Sequence, residues 1–314
     1  MLSLSKMEIR HLQALVGVAE HGSFSAAAEA LGTVQSNISS HIARLERELG
    51  APLVDRSAGR LTEEGEIVVA RARRMLVEMM ALVADVSAMR KEVAGMVRTG
   101  MIGTTGRWLV PRLFSLLRER HPQVRITVAD GTSANLEPRL ASGQLDLAVV
   151  SLPLAGDELT ATLLFEEDLM LVVPVDHPFT KLPRPLPLAR LTELDLVLPL
   201  SNTALRDEID RALRQAGVAL TPALELDGIR MIASLTFDGF GPAILPATAV
   251  PRHMRERFEL IALEGFPRRR VGVAQRRRGL PSAPTRAVIA LLNAVANDPL
   301  DRPMGLHPPV EAAD

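Results

Sequence analysis

The chain has 314 residues, with 36 Lys and Arg against 37 Asp and Glu, and it contains no cysteine. Its length allows one large domain or two domains with a substantial core, and 47% hydrophobic with 23% charged residues is the composition of an ordinary globular protein. Without cysteine, disulfides, thiolate metal sites and cysteine nucleophiles are excluded. No apolar run reaches membrane-spanning length and no signal-peptide pattern opens the chain, so we expect a cytoplasmic protein with no membrane partner.

Three helices are predicted at the N-terminus. The first covers about residues 6–20. The second begins after Ser23, whose hydroxyl can cap it, and ends at Gly32, which allows a tight turn. The third covers about residues 34–49, because its apolar residues recur at three- and four-residue spacing and share one face. These apolar residues are Ile38, Ile42, Leu45 and Leu49.

The opposite face of the third helix is rich in amides and hydroxyls. Such a face on a short second helix is typical of a helix-turn-helix, which places it in the DNA major groove. Gln and Asn can donate and accept hydrogen bonds together, which matches the donor and acceptor on the edge of adenine. Arg can reach guanine or phosphate, and backbone N–H groups and hydroxyls near the helix start can hold phosphate. The alternative is an ordinary solvated surface. The candidate DNA-binding residues are Ser23, Thr33, Gln35, Ser36, Asn37, Ser40, His41, Arg44, Arg56 and Arg60.

Residues 52–56 and 60–62 are two short extended segments around a glycine turn, and they predict a β-wing. Arg56 and Arg60 at its edges could meet phosphate or the minor groove, although a solvated hairpin tip explains them equally well. Residues 1–60 hold six basic and six acidic side chains, so a basic surface can exist here only as a local patch. Dimerisation would offset this by doubling the number of phosphate contacts.

Residues 62–93 are predicted to form a long linker helix that dimerises. Thr62 can cap it, and acidic residues in its first turn have the sign that the helix dipole favours. Apolar residues then alternate spacings of four and three, the heptad pattern of a helix–helix interface. A helix buried in its own chain is the alternative. This heptad seam consists of Val68, Ala72, Met75, Met79, Leu82, Val86, Met89 and Val93, and all except Ala72 and Val93 are predicted dimer contacts.

From residue 95 to about 300, short apolar runs alternate with helical patterns. This alternation predicts βαβ units and an α/β domain with a parallel sheet. We expect two lobes, the first from about 95–167 and 268–300 and the second from about 168–267. The proline-rich tail, residues 301–314, is predicted to be disordered. Two arginine runs, 268–270 and 276–278, are interpreted as solvated edge charges rather than a second nucleic-acid site.

In this order, the elements resemble the LysR family of transcriptional regulators over nearly the whole chain. The segments that carry the resemblance include GSFSAAAEAL (22–31), VQSNIS (34–39), IARLERELGAPLVDR (42–56), LTEEG (61–65), LASGQLDLAVV (140–150) and GPAILP (241–246). The chain departs from the family at Val34, where Ser or Thr is usual before the glutamine, so the helix cap is expected to pass to Thr33. Val54 replaces the usual Phe. Residues 237–241 differ from the small residues that the family usually has ahead of its Leu-Pro pair.

The resemblance implies a winged helix-turn-helix at residues 1–61, the linker helix, and a two-lobed effector domain similar to periplasmic binding proteins. In open α/β sheets, ligands bind beyond the carboxyl ends of strands, where helix N-termini offer free N–H groups. The strand-to-helix junctions of this chain are rich in hydroxyls, which could bind a small organic anion or could simply cap helices. The candidate effector-binding residues are Thr104, Thr105, Thr132, Ser133, Ser201, Asn202 and Thr203.

We therefore expect a sequence-specific DNA-binding regulator controlled by a small-molecule effector, acting as a homodimer or homotetramer on double-stranded promoter DNA, with RNA polymerase a further candidate partner. An effector-independent regulator and a cytoplasmic small-molecule-binding protein are the alternatives. An enzyme is not expected, because nucleophile-elbow, P-loop, metalloprotease and dinucleotide motifs are missing. The scattered histidines predict no metal site, and no cofactor is implied.

Overall fold

The computed structural model describes residues 7–57, 59–89, 93–201, 203–299 and 302–309. Its N-terminal head contains α1 (Ile9–His21), α2 (Phe24–Ala30) and α3 (Gln35–Leu49). Ala27 and Ala28 are buried where α1, α2 and α3 meet, since small side chains allow close packing. The Ser23 hydroxyl accepts a hydrogen bond from the Ala26 backbone N–H and caps α2, as predicted.

The wing and the linker helix follow the head directly. The wing consists of β1 (Val54–Asp55) paired antiparallel with β2 (Arg60–Leu61), and α4 (Glu63–Ala88) is capped by the Thr62 hydroxyl. Gly65 in α4 lies so close to the wing that an added Cβ would stand 2.0 Å from the Leu53 carbonyl oxygen. Only glycine allows this contact, so the turn from wing to helix is fixed by backbone packing.

The limits predicted for head and linker helix need correction. Val69 and Ala72 are buried in the core of the head and Val68 packs against it, so the first turns of α4 belong to the head. Packing therefore does not divide the chain at residue 61. The helix ends at Ala88 instead of 93, and residues 90–92 lie outside the described part of the chain.

The effector domain is an α/β unit in which strands and helices alternate. Its helices are α5 (Gly103–Arg120), α6 (Ser133–Ala141), α7 (Ala204–Gln215), α8 (Ile229–Phe237) and α9 (Ala283–Asn297). Its strands are β3 (Gly95–Ile102), β4 (Val124–Gly131), β5 (Leu147–Ser151), β6 (Leu159–Pro174), β7 (Val197–Pro199), β8 (Leu224–Leu226), β9 (Ala243–Pro246), β10 (Phe258–Ala262), β11 (Arg268–Arg276) and β12 (Leu306–His307).

Two strands connect the lobes. In the first lobe, β3 pairs parallel with β4 and β5, but β11 runs antiparallel to β5 and β6, so the sheet is mixed and not parallel as predicted. The long strand β6 pairs with β11 up to Asp168 and with β9 and β10 from Leu169 onwards. The chain therefore enters the second lobe along β6 and returns along β11. We use the word cleft for the place where the two lobes meet beside this crossing.

The prediction of a disordered tail is wrong for residues 302–309. Strand β12 pairs with β6, and Leu306 is 6% exposed and packs in the main hydrophobic core. One buried leucine and a strand pairing outweigh the proline content that predicted disorder. Residue 301 and residues 310–314 lie outside the described part. Among the described residues, no helix is both long and apolar enough to cross a membrane.

Candidate DNA-reading and effector sites

Helix α3 presents the predicted polar face to solvent. Gln35, Ser36, Asn37 and Ser40 are exposed, while the apolar face of the helix lies in the core of the head. The helix cap is Val34, which supplies no side-chain hydrogen bond, so the expectation that the cap passes to Thr33 is wrong. The first N–H groups of α3 consequently have no side-chain acceptor, which leaves them suited to a phosphate oxygen.

The predicted polar residues also contact one another around the turn. The Thr33 hydroxyl accepts a hydrogen bond from the Asn37 amide at 2.9 Å, and Gln35 Oε1 accepts one from Ser25 Oγ at 3.1 Å. Ser25 on α2 was not predicted, because a single exposed serine gives no sequence signal. The bond from Ser25 uses the carbonyl oxygen of the Gln35 amide and leaves its NH2 group as a hydrogen-bond donor.

The predicted cations of the head differ in their surroundings. Arg44 forms ion pairs with Glu48 at 3.4 Å and Glu8 at 4.0 Å. Arg56 lies 3.8 Å from Glu46 and 6.0 Å from the Phe24 ring centroid, and Arg60 is exposed with no ion pair to any described residue.

The ring of His41 lies against the ring of another histidine of the head, tilted by 41°. The His11 and His41 ring centroids are 5.4 Å apart, and His11 is 1% exposed. Burial lowers the pKa of His11, and the nearby charges of Glu48 and Glu8 partly oppose this. His11 therefore lies inside the head, and His41 is the more exposed member of the pair.

The C-terminal part of the heptad seam is open to solvent in the single chain. Leu82 is 65% exposed, and Val83 beside it is 64% exposed. Val93 lies beyond the helix and packs on the effector-domain core, so this member of the seam was predicted wrongly. The seam residues that remain as a contiguous exposed apolar strip are Met75, Met79, Leu82, Val86 and Met89.

The N-terminus of α5 lies at the cleft between the lobes. Its cap residue, Ile102, provides no side-chain hydrogen bond. A Cβ added to Gly103 would stand 3.0 Å from Asp130 Oδ1 and 3.1 Å from Arg230 Nε, so both side chains lie over this helix end. Asp130 comes from the end of β4 in the first lobe and Arg230 from α8 in the second, and their ion pair bridges the cleft.

A buried ion pair crosses the two connecting strands beneath this cleft. Glu167 of β6 is 0% exposed and pairs with Arg269 of β11, whose Nη2 also donates to Thr104 Oγ1 at 3.4 Å. The second oxygen of Glu167 accepts a hydrogen bond from the Thr248 hydroxyl at 2.9 Å. Burial raises the pKa of nearby Glu208 on α7, while the charge of Arg269 opposes the shift. The network thus joins α5, both connecting strands and the second lobe.

Most of the other predicted effector residues cap helices or form hydrogen bonds within the chain. Thr132 and Thr203 cap α6 and α7. Ser133 Oγ accepts a hydrogen bond from the Ser151 backbone N–H, and Ser201 donates to Glu225. Thr105 is fully buried and its hydroxyl has no partner among the described residues. Asn202 lies outside the described part.

In the first of the two arginine runs, Arg268 and Arg270 are exposed but Arg269 is not. Arg269 is 7% exposed in the buried pair, and Arg268 and Arg270 pair with acidic side chains of β6. The interpretation of the run as solvated charges is wrong for Arg269, because β6 places the buried Glu167 directly opposite it. No group of three or more His, Cys, Asp or Glu that could hold a metal ion occurs in the described ranges.

Comparisons with known proteins agree with this architecture. The family model described as bacterial regulatory helix-turn-helix protein, lysR family, matches residues 9–66, and the LysR substrate binding domain matches residues 90–297. A probable hydrogen peroxide-inducible genes activator from Streptomyces viridosporus is 31% identical over 92% of this chain and 95% of its own length. A probable RuBisCO transcriptional regulator from Cyanophora paradoxa is 31% identical over 78% of each chain.

A solved structure shows the same arrangement of domains. Full-length OxyR from Pseudomonas aeruginosa, with one cysteine replaced by aspartate, is 25% identical and superposes with a TM-score of 0.78, covering 98% of this chain and 99% of its own. The helix-turn-helix, the α/β domain and both family models therefore point to one conclusion. The chain belongs to the LysR family of DNA-binding transcriptional regulators.

Proposed function

We propose that this regulator reads promoter DNA with the exposed face of α3, acts as a homo-oligomer joined through α4, and is controlled by a small organic anion bound in the cleft. The observation that carries the effector proposal is the convergence of Arg230 on the N-terminus of α5. Free backbone N–H groups, the positive end of the helix dipole and a guanidinium all favour a carboxylate at this point.

The cleft is already bridged by Asp130, whose carboxylate pairs with Arg230. An anionic effector would take the place of this carboxylate and bind Arg230 together with the helix end. Binding would then change the contact between the lobes, and the buried pair of Glu167 and Arg269 would carry that change to both connecting strands. A ligand shifts such an equilibrium only by its difference in affinity for the two arrangements.

A response to hydrogen peroxide, which the name of one relative indicates for that protein, does not suit the composition of this chain. Peroxide oxidises protein thiolates to sulfenic acids and disulfides, and this chain has no cysteine. A relative of equal identity carries a different regulatory name, so identity at this level does not fix the signal.

A thermal-shift screen with small mono- and dicarboxylates tests the effector proposal. We expect at least one acid to raise the melting temperature of the full chain, and Arg230→Ala to remove most of that increase. Arg214→Ala, an exposed arginine of α7, is the matched control and should respond like the wild type. An acid that stabilises Arg230→Ala as much as the wild type would place the effector elsewhere. No response, with DNA binding intact, would favour an effector-independent regulator.

A further inference from the structure

A basic groove lies where the linker helix meets the effector domain. It has a volume of about 330 Å³ and is lined by arginines from both sides. Arg71 and Arg74 come from α4, whereas Arg276, Arg277 and Arg278 come from the end of β11 and the residues after it. The second arginine run of the sequence therefore faces the linker helix.

Carboxylates in and beside the groove compensate only part of its positive charge. Two carboxylates, Asp157 and Glu158, also line the groove, which leaves an excess of three positive charges over the seven charged side chains. None of the five arginines lies within 4.0 Å of a carboxylate oxygen of a described residue. Like charges gathered at this density repel one another, and a multivalent anion would relieve the repulsion.

One of the arginines is already fixed in place. Arg276 Nη1 donates to the carbonyl oxygens of Leu140 at 3.2 Å and Leu145 at 2.8 Å, at the end of α6 and just beyond it. Burial lowers the pKa of Arg276, as do the charges of Arg98 and Arg74, while Asp146 and Glu78 raise it. A guanidinium held in this way loses little side-chain entropy when it binds a ligand.

The two sides of the groove are in direct contact at its edge. A Cβ added to Gly143, in the turn after α6, would stand 3.5 Å from Arg74 Cγ. A ligand in the groove would therefore touch α4 and the effector domain together. Since α4 continues into the head, such a ligand would stabilise the present angle between linker and effector domain.

We propose that this groove binds a small polyanion of the diphosphate or polyphosphate class. Guanidinium groups bind phosphate oxygens in bidentate geometry, and several arginines around one site select for more than one phosphate. The volume is at the lower end of the range for small-molecule sites and suits a compact anion better than a large cofactor. The site is separate from the cleft, which is lined by other residues.

Isothermal titration of the full chain with inorganic pyrophosphate, at constant ionic strength, tests the proposal. We expect saturable binding of one pyrophosphate per chain, and a loss of about tenfold in affinity in each of Arg71→Ala and Arg277→Ala. Arg71 and Arg277 are both exposed, so we expect these variants to keep the fold. Arg118→Ala on α5, exposed and remote from the groove, is the matched control and should bind like the wild type.

Three results would overturn the proposal. These are heats that never saturate, wild-type affinity in both groove variants, and an equal loss in Arg118→Ala. Titration with a DNA duplex of random sequence tests whether the groove binds the phosphates of DNA instead of a small polyanion. We expect Arg277→Ala to leave duplex binding unchanged. If it weakens duplex binding and spares pyrophosphate binding, the groove contacts DNA and the proposal fails.

Discussion

Arg230, the second residue of α8, forms an ion pair with Asp130, the penultimate residue of β4, and the pair spans the cleft over the N-terminus of α5. The two residues are 100 positions apart in the sequence. Asp130 thus occupies the position in which the carboxylate of an effector would meet Arg230. The protein holds its own anion where we propose that a foreign one binds.

Replacement of Asp130 by Asn is expected to raise affinity for a carboxylate effector, because the internal competitor for Arg230 loses its charge. The cost to stability is expected to be only about 0.2–1 kcal/mol, since both side chains are largely exposed. Titration of the most stabilising acid into wild type and Asp130→Asn measures the change. Asp176→Asn, an exposed aspartate of the second lobe, is the control. Equal or weaker binding by Asp130→Asn would refute the competition.

Glu208 is expected to make stability depend on pH. Its pKa is raised above 4.5, chiefly by burial, so the folded state holds the proton more tightly than the unfolded chain. The carboxyl therefore destabilises the fold increasingly as the pH rises through the raised pKa. Glu208→Gln should raise the melting temperature at about pH 7.5, and the gain should shrink as the pH falls towards 4.5. Exposed Glu264→Gln should show no such trend, and a gain independent of pH would contradict burial of the Glu208 charge as its cause.

Gln35→Ala is expected to weaken binding to the preferred operator by about 1–3 kcal/mol while leaving binding to unrelated duplexes nearly unchanged, because a base contact carries specificity. Competition binding at fixed salt measures the ratio of the two affinities. Gln13→Ala, an exposed glutamine of α1, is the matched control. An unchanged ratio would remove Gln35 from the set of base contacts.

Arg56→Ala is expected to lower affinity for all duplexes alike and to reduce the slope of log affinity against log salt by about 1, because it removes one phosphate contact. Arg118→Ala is a close control, since Arg118 lies 5.8 Å from the Phe114 ring centroid as Arg56 lies 6.0 Å from that of Phe24. A loss confined to one operator sequence would mean that Arg56 reads a base.

Leu82→Glu is expected to dissociate the oligomer without unfolding the chain, because Leu82 is 65% exposed in the single chain. Two glutamates at a helix–helix interface would be buried without partners. Ile67→Glu changes a residue of the same helix that is 61% exposed and lies off the heptad seam. Sedimentation velocity should show a smaller species for Leu82→Glu alone, and an unchanged mass would place the interface elsewhere.

The sequence was sufficient for the head because its signals are local. Spacings of three and four residues predicted α3, and Ser23 and Thr62 cap their helices as the sequence indicated. The boundary between head and linker helix was harder to predict, because a periodic apolar face has the same spacing whether it packs on the head or on a second chain. The close approach of Gly65 to Leu53 and the burial of Val69 and Ala72 in the head show that α4 begins inside the head.

The cleft could not be predicted to the same extent. Hydroxyls at strand-to-helix junctions cap helices and bind ligands with the same chemistry, and Thr132 and Thr203 proved to be caps. The charged residues that meet there, Asp130 with Arg230 and Glu167 with Arg269, are brought together by pairings about 100 residues apart. A local sequence pattern does not predict contacts between residues so far apart in the chain.

Selection of duplexes from a random pool by the full chain at about 0.15 M salt tests most directly whether α3 reads DNA as part of a symmetric assembly. We predict enrichment of a motif with two related half-sites whose centres lie about 10–10.5 base pairs, or a multiple of that distance, apart. Gln35→Ala should lose the enrichment. Enrichment of no motif, or the same motif from Gln35→Ala, would contradict the account.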